Sequence, residues 1–237
     1  MHIHRDTVWP QPALFRALQR LGFEVVQTRG RWRRPAYQNL WLGGMLPGSF
    51  LAAQARACGF NWDLLSHHTR TGRFIRLRRG LYRLRDYPSP PRSEVVEAWL
   101  AVGKDTAVVS HESALELLGL SDAIPDAVHL SVPRSRRHLP KLPGVAIHTT
   151  TRPLGPGEVA VRQGVRVTAP ARTILDTAEA GTAPEQIEMA VAQAIDRGMA
   201  TPEQLREAAA ARPNRVRRLI DQALGRVGQR MGEKIHA

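Results

Sequence analysis

The chain has 237 residues, 43% of them hydrophobic, enough for one larger domain or two small ones and too apolar for global disorder. No apolar run approaches the ~20 residues needed to cross a bilayer, the opening MHIHRDTVWPQP lacks a signal peptide's apolar stretch, and a single cysteine, Cys58, excludes an intrachain disulfide or a multi-cysteine zinc site. The formal charge of +13 is unevenly spread: residues 1–92 carry 16 arginines, no lysine and four acids, a net +12, while residues 93–237 carry 18 basic and 17 acidic residues, a net +1. A basic first part joined to a nearly neutral second part predicts one polyanion-binding region and one region with another task, in a cytoplasmic protein without membrane contact.

Residues 1–35 form a basic N-terminal extension. Within it, Leu14, Leu18 and Leu21 repeat at i, i+4, i+7, a short amphipathic helix ended by Gly22. FEVVQT, Arg29-Gly30 and RWRRP predict a small hairpin. This fragment weakly resembles the start of HicA-type RNA-cleaving toxins, but Gly30-Arg31-Trp32 stands where that activity needs a histidine, so no activity is carried over.

The stretch 48–84, GSFLAAQARACGFNWDLLSHHTRTGRFIRLRRGLYRL, predicts a helix, a turn at Gly59, a second helix capped by Asn61 or Asp63, and a two-stranded ribbon tipped by Arg78-Arg79-Gly80. This order is that of a winged helix-turn-helix, expected over 36–87, with its first helix only poorly signed at Asn39–Gly43. Leu64, Leu65, His68 and Thr69 are expected inward; Asp63, Ser66, His67 and Arg70 outward. The second helix would then enter the major groove of double-stranded DNA, with Ser66, His67 and Arg70 as candidates for base edges. Arg76, Arg78 and Arg79 would contact phosphates or an adjacent minor groove.

Three prolines in YPSPPR (87–92) predict a break, so a second domain is placed at 93–237. SEVVEAWLAV and SHESALELLGL read as helices, capped by Ser93 and Ser110. Four short β-rich runs follow at 128–132, 144–149, 158–161 and 164–167, and then helices in TAPARTILDTAEA, APEQIEMAVAQAIDRG and TPEQLREAAAA. Strands gathered first and helices after give an α+β chain: an N-terminal winged helix-turn-helix followed by a mixed α/β C-terminal domain. Arg134, Arg136 and Arg137 in VPRSRRH form a second basic cluster, equally consistent with a solvated loop and with a further DNA or partner contact.

Catalytic constellations are not legible. Ser110-His111-Glu112 has the letters of a triad, but neighbours on a helix point in different directions, and a helix cap is the better account. Gly48-Ser49 would open a nucleotidyltransferase site if two alternate aspartates followed, yet Asp63 is followed at 65 by leucine. There is no phosphate loop and no HExxH. His67-His68 reads as one exposed and one buried histidine, and Asp176 has no partner carboxylate at useful spacing. No catalytic residue, cofactor or metal ligand is therefore expected.

Four segments in order, AAQARACGF, GRFIRLRRGLYRL, VVSHESALELLGLSDAIPDAVHLSVPRSRR and VRVTAPARTILDTAE, resemble the AbiEi-type antitoxin family of type IV toxin–antitoxin systems. The resemblance implies an N-terminal domain that binds the operon's own promoter, through positions including Arg73, Arg76, Arg78, Arg79, Gly80 and Tyr82. It implies a C-terminal domain that counters a nucleotidyltransferase-like toxin without needing a stable complex. A stand-alone winged-helix transcriptional regulator remains the alternative. A winged-helix-linked endonuclease is disfavoured, because the tail from Arg212 offers only Asp221, Glu233 and Lys234.

Overall fold

The computed structural model describes residues 49–57, 59–85, 92–122, 124–139, 141–151, 153–162 and 164–235. The expected helix at 14–21, the hairpin at 23–35, the helix at 39–43, Cys58 and nearly all of the proline break lie outside the described residues. The fold is α+β and divides into two compact units, 1–101 and 102–237.

In the first unit, β1 (Ser49–Leu51) leads into α1 (Ala52–Ala57), a turn, α2 (Trp62–Arg70), and the hairpin β2 (Phe74–Arg78) and β3 (Leu81–Leu84). The three strands form an antiparallel sheet in the order β1-β3-β2, with Phe50 opposite Tyr82 and Ile75 opposite Arg83. The Ala52 amide donates to the Gly80 carbonyl at 2.8 Å, tying the start of α1 to the hairpin turn. That turn needs Gly80, whose φ is +78°.

The interior is aromatic. Phe50 meets Phe74 edge-on at 5.0 Å between ring centroids and stacks on Tyr82 at 5.8 Å, and Phe60 and His68 close the cluster. His68 is a core residue whose pKa is lowered by burial first, then by the Arg73 and His67 charges, so it is neutral. Leu64, expected inward, is 43% exposed. The buried face of this nine-residue helix runs through Leu65 and His68, three residues apart, and leaves Leu64 on its rim.

α3 (Ser93–Val102), expected to open the second domain, lies almost wholly in the first unit. Its Glu97 accepts from the Ser49 hydroxyl at 3.3 Å and pairs with Arg83 at 3.4 Å. Burial pushes the Glu97 pKa up, against the opposing pull of Arg83 and Ser49.

The second unit is built on a five-stranded sheet in the order β6-β5-β4-β8-β7, made of β4 (Val108–Val109), β5 (Val128–Pro133), β6 (Val145–Thr150), β7 (Val159–Arg162) and β8 (Val165–Thr168). The sheet is mixed. β4 pairs antiparallel with β5 and parallel with β8, while β5 and β6 are parallel. Helix α4 (His111–Leu118) follows β4 and ends at Gly119, whose φ of +68° provides the left-handed stop. α5 (Pro170–Ala180), α6 (Pro184–Asp196), α7 (Pro202–Ala210) and α8 (Asn214–Ile235) complete it. Thr201 and Gln204 form the capping box that opens α7. The 22-residue α8 goes beyond the expected elements, although Val216, Ile220, Ala223, Leu224 and Val227 are buried at helical spacing and face α6 and α7. None of the helices among the described residues is long and apolar enough to cross a membrane.

Candidate functional site

Two regions hold chemistry, one in each unit. In the first, Ser66, His67 and Arg70 are exposed on α2, Arg76 and Arg79 are exposed, and Arg73 and Arg78 are half-buried. A groove of about 380 Å³ is lined by Trp62, Ser66, Thr69, Arg70, Arg76 and Tyr82. Helix α2 and strand β2 therefore present Ser66, Arg70 and Arg76 to one space. The Asn61 side chain caps α2 by accepting from the Leu64 amide at 2.8 Å. The hairpin register slips between Arg76 and Arg78, a bulge that breaks the alternation of β2 before its tip. Trp62, which no sequence signal singles out, is 58% exposed at the start of α2, with the Arg56 guanidinium 5.7 Å from its ring centre.

In the second unit, a cleft of about 1250 Å³ is lined by His111, Ser131, His148, Thr149, Glu158, Arg172, Asp176, Glu179, Gln204, Glu207 and Arg212, among others. At its centre Asp176 is only 5% exposed and is held by two guanidinium groups, Arg172 on its own helix at 2.7 Å and Arg212 at 2.7 Å. Arg172 also donates to Glu158 at 2.9 Å, and Arg212 pairs with Glu179. Burial works against the Arg172 charge, yet Asp176 and Glu158 hold its pKa above the ordinary value. The direct partners of Asp176 are guanidinium groups, not a second carboxylate. Arg172 stands at i, i+4 spacing on α5 itself, whereas Arg212 comes from the α7–α8 connection, 36 residues away, a pairing that spacing cannot reveal.

The SHESAL segment has a different local structure from the one expected. Ser110 makes no side-chain cap to α4. Its hydroxyl lies 2.9 Å from His111 Nδ1 and accepts from Ser131 Oγ at 2.9 Å, all three groups being buried. Neighbours within a helix cannot pair in this way, but Ser110 is extended (φ −144°, ψ 177°) just ahead of α4 and His111 has φ +53°, a left-handed backbone rare outside glycine. Ser113 Oγ donates to the Ala127 carbonyl and accepts from the His129 amide at 3.0 Å, so the serines of this segment fasten α4 to β5.

The TAPARTILD segment behaves likewise. Thr168 and Thr173 hydroxyls meet at 2.7 Å, and Thr173 donates to the Thr168 carbonyl at 2.8 Å, docking α5 on the end of β8 and setting Arg172 and Asp176 at the cleft.

Three histidines that the sequence does not group converge beside the cleft. The His111 and His148 rings stack with centroids 3.6 Å apart, and His129 Nδ1 is hydrogen-bonded to His148 Nε2 at 3.0 Å. Burial lowers the pKa of all three and pushes His111 down to about 3, with the neighbouring His148 and His129 adding to the effect. What brings them together is the parallel pairing of β5 with β6, which sets Ser131 opposite His148, and that pairing is not readable before folding. Arg134, Arg136 and Arg137 are exposed at a short 3-10 turn after β5 and do not line the cleft.

The model of the AbiEi antitoxin C-terminal domain matches residues 106–226, the span that contains the sheet, the cleft and the three histidines. The chain belongs to the AbiEi antitoxin family. Its role is therefore that of an antitoxin, which implies a toxin partner, and members of this family are generally not enzymes. The crystal structure of the RV2827C protein from Mycobacterium tuberculosis shares the fold, with a TM-score of 0.58 over 77% of this chain and 73% of that one, at 16% identity. No curated protein matches this chain.

Proposed function

We propose that this antitoxin binds the promoter of its own operon through a winged helix-turn-helix, represses it, and counters a nucleotidyltransferase-like toxin through its second unit, without requiring a stable complex. The observation that carries the DNA-binding half is the groove that gathers Ser66, Arg70 and Arg76 from α2 and the hairpin, in a region with 16 arginines and four acids up to residue 92. α2 is the element offered to the major groove, and Arg76, Arg78 and Arg79 are offered to the backbone. Arg73 stands beside them on the turn between α2 and the hairpin. Arg134, Arg136 and Arg137, exposed and clustered within four residues, are offered as a second contact, to DNA or to a partner. The antitoxin half rests on the family domain that spans the second unit.

The test is promoter binding measured over a range of salt for the full chain and for Arg78→Ala plus Arg79→Ala. Each lost phosphate contact should flatten the slope of log affinity against log salt by about 0.9. The same double variant should still rescue cells from the partner toxin. An unchanged slope removes the hairpin from the interface, and loss of rescue ends the division of labour.

A further inference from the structure

We propose that His111, His129 and His148 form a binding site for one divalent transition-metal ion, best suited to zinc, on the wall of the cleft in the second unit. A nitrogen of each ring lies within 4.8 Å of the other two. The 3.0 Å between His129 Nδ1 and His148 Nε2 is close to the roughly 3.3 Å edge expected between two nitrogens bound to one tetrahedral zinc at 2.0–2.1 Å. Three neutral imidazoles and no thiolate select a borderline ion such as zinc over calcium or magnesium, which prefer oxygen donors.

A second observation concerns His111 alone. It is 8% exposed and carries φ +53° at the first position of α4, where no glycine relieves the strain. That conformation costs free energy and persists where the surroundings over-determine it, often at functional positions. Here it turns the ring onto His148 and sets Nδ1 against the Ser110 hydroxyl; in the ligating tautomer Nδ1–H donates to Ser110 and Nε2 keeps its lone pair for the metal. Ser131, bonded in turn to Ser110, completes the outer support that metal-binding histidines commonly have. Burial keeps all three rings in the uncharged form that ligates.

Two adjustments accompany binding. The proton shared between His129 and His148 moves to the other nitrogen of its ring, leaving both facing nitrogens free. The stack of His111 on His148, with planes 17° apart, opens by rotation about χ2, a broad torsion for histidine, so that the lone pairs meet at one point. His111 and His148 line the cleft, and a water there takes the fourth position.

The test uses the untagged full chain, stripped with chelator and titrated with cobalt(II) and then zinc. The expected result is the visible absorption of tetrahedral cobalt at one equivalent per chain, displaced by zinc, with a rise in melting temperature on zinc addition. His148→Ala and His111→Asn should abolish the band, asparagine being chosen because it tolerates left-handed backbone. His138→Ala, and His2→Ala plus His4→Ala, should retain it. Absence of the band in the folded wild-type chain overturns the site and leaves a neutral, hydrogen-bonded histidine stack. A band that survives in either His148→Ala or His111→Asn, or that vanishes with His2 and His4, overturns it equally.

Discussion

Two sets of arginines, one in each unit, do opposite work. In the first, Arg70, Arg76 and Arg79 are turned to solvent over an interior of Phe50, Phe60, Phe74 and Tyr82, and Asp63 is the only acid on α2. In the second, Arg172 and Arg212 are turned inward onto Asp176, and the interior holds Ser110, His111, Ser113, Ser131, Thr168, Thr173 and Thr177. The residue type does not decide between the two uses. What decides is whether the fold delivers a carboxylate to the guanidinium. Where it does, as for Arg83 on Glu97 in the first unit and for Arg172 and Arg212 in the second, the charge becomes part of the scaffold, and where it does not, the charge stays at the surface.

The strongest test of this contrast is Asp176→Ala. It removes the carboxylate that two guanidinium groups share, 6% exposed, and leaves Arg172 only Glu158 and Arg212 only Glu179. Breaking a buried pair from one side costs up to ~3–5 kcal/mol, and these remaining partners hold the loss toward the lower end. Arg206→Ala, which breaks the exposed pair with Glu203, should change stability by less than about 1 kcal/mol. Urea unfolding of both variants measures the difference. Equal effects would mean that the cleft is wet enough to screen its charges, and the distinction between the units would fall.

Acid should act on the second unit next most strongly. His111 has an ordinary pKa of 6.5 and is held at about 3 in the fold, so between those values the unfolded chain binds a proton that the native chain refuses. The stability it protects is whole above pH 6.5 and falls as the pH drops, by about 1.4 kcal/mol per pH unit for this group, until about pH 3. His129 and His148 are shifted in the same direction and steepen the fall. Chelator-treated protein followed by denaturant titration at several pH values should show this slope, and His111→Asn should flatten it. A slope unaffected by that variant would assign acid sensitivity elsewhere, with His68 in the first unit the next group to examine.

Local signals account for most of the element map. Asn61, Gly80, Thr201 with Gln204, and the alternation in FIRLR and LYRL announce helix starts, a hairpin turn and strands by short-range chemistry, and the structure places them accordingly. The candidate cleft is a different matter. Ser110 reads as a cap because serine before an apolar helical run usually is one, but its hydroxyl is taken by His111 and Ser131 beside a left-handed backbone at His111. His129 and His148 sit on separate strands, and Arg212 reaches Asp176 from 36 residues away, so each contact depends on tertiary pairing. α8 escapes a sequence reading for a simpler reason. Its many arginines and its glycines mask a buried stripe that is nevertheless regular.

The finest test lies on α2, where base reading and backbone contact should separate. Arg70 is exposed in the last turn of the helix, lines the same groove as Arg76, and can pair bidentately with a guanine edge. Arg70→Ala should therefore cost about 1–3 kcal/mol on the operator and much less on unrelated DNA, compressing the ratio between them. Arg79→Ala, at the hairpin tip, should weaken both by the same factor, because a phosphate contact carries no sequence information. Competition binding with an operator duplex and a scrambled duplex at one fixed salt concentration resolves the two outcomes. If Arg70→Ala lowers both affinities alike, Arg70 belongs with the backbone contacts, and base reading passes to Ser66, His67 or the exposed Trp62 at the other end of α2.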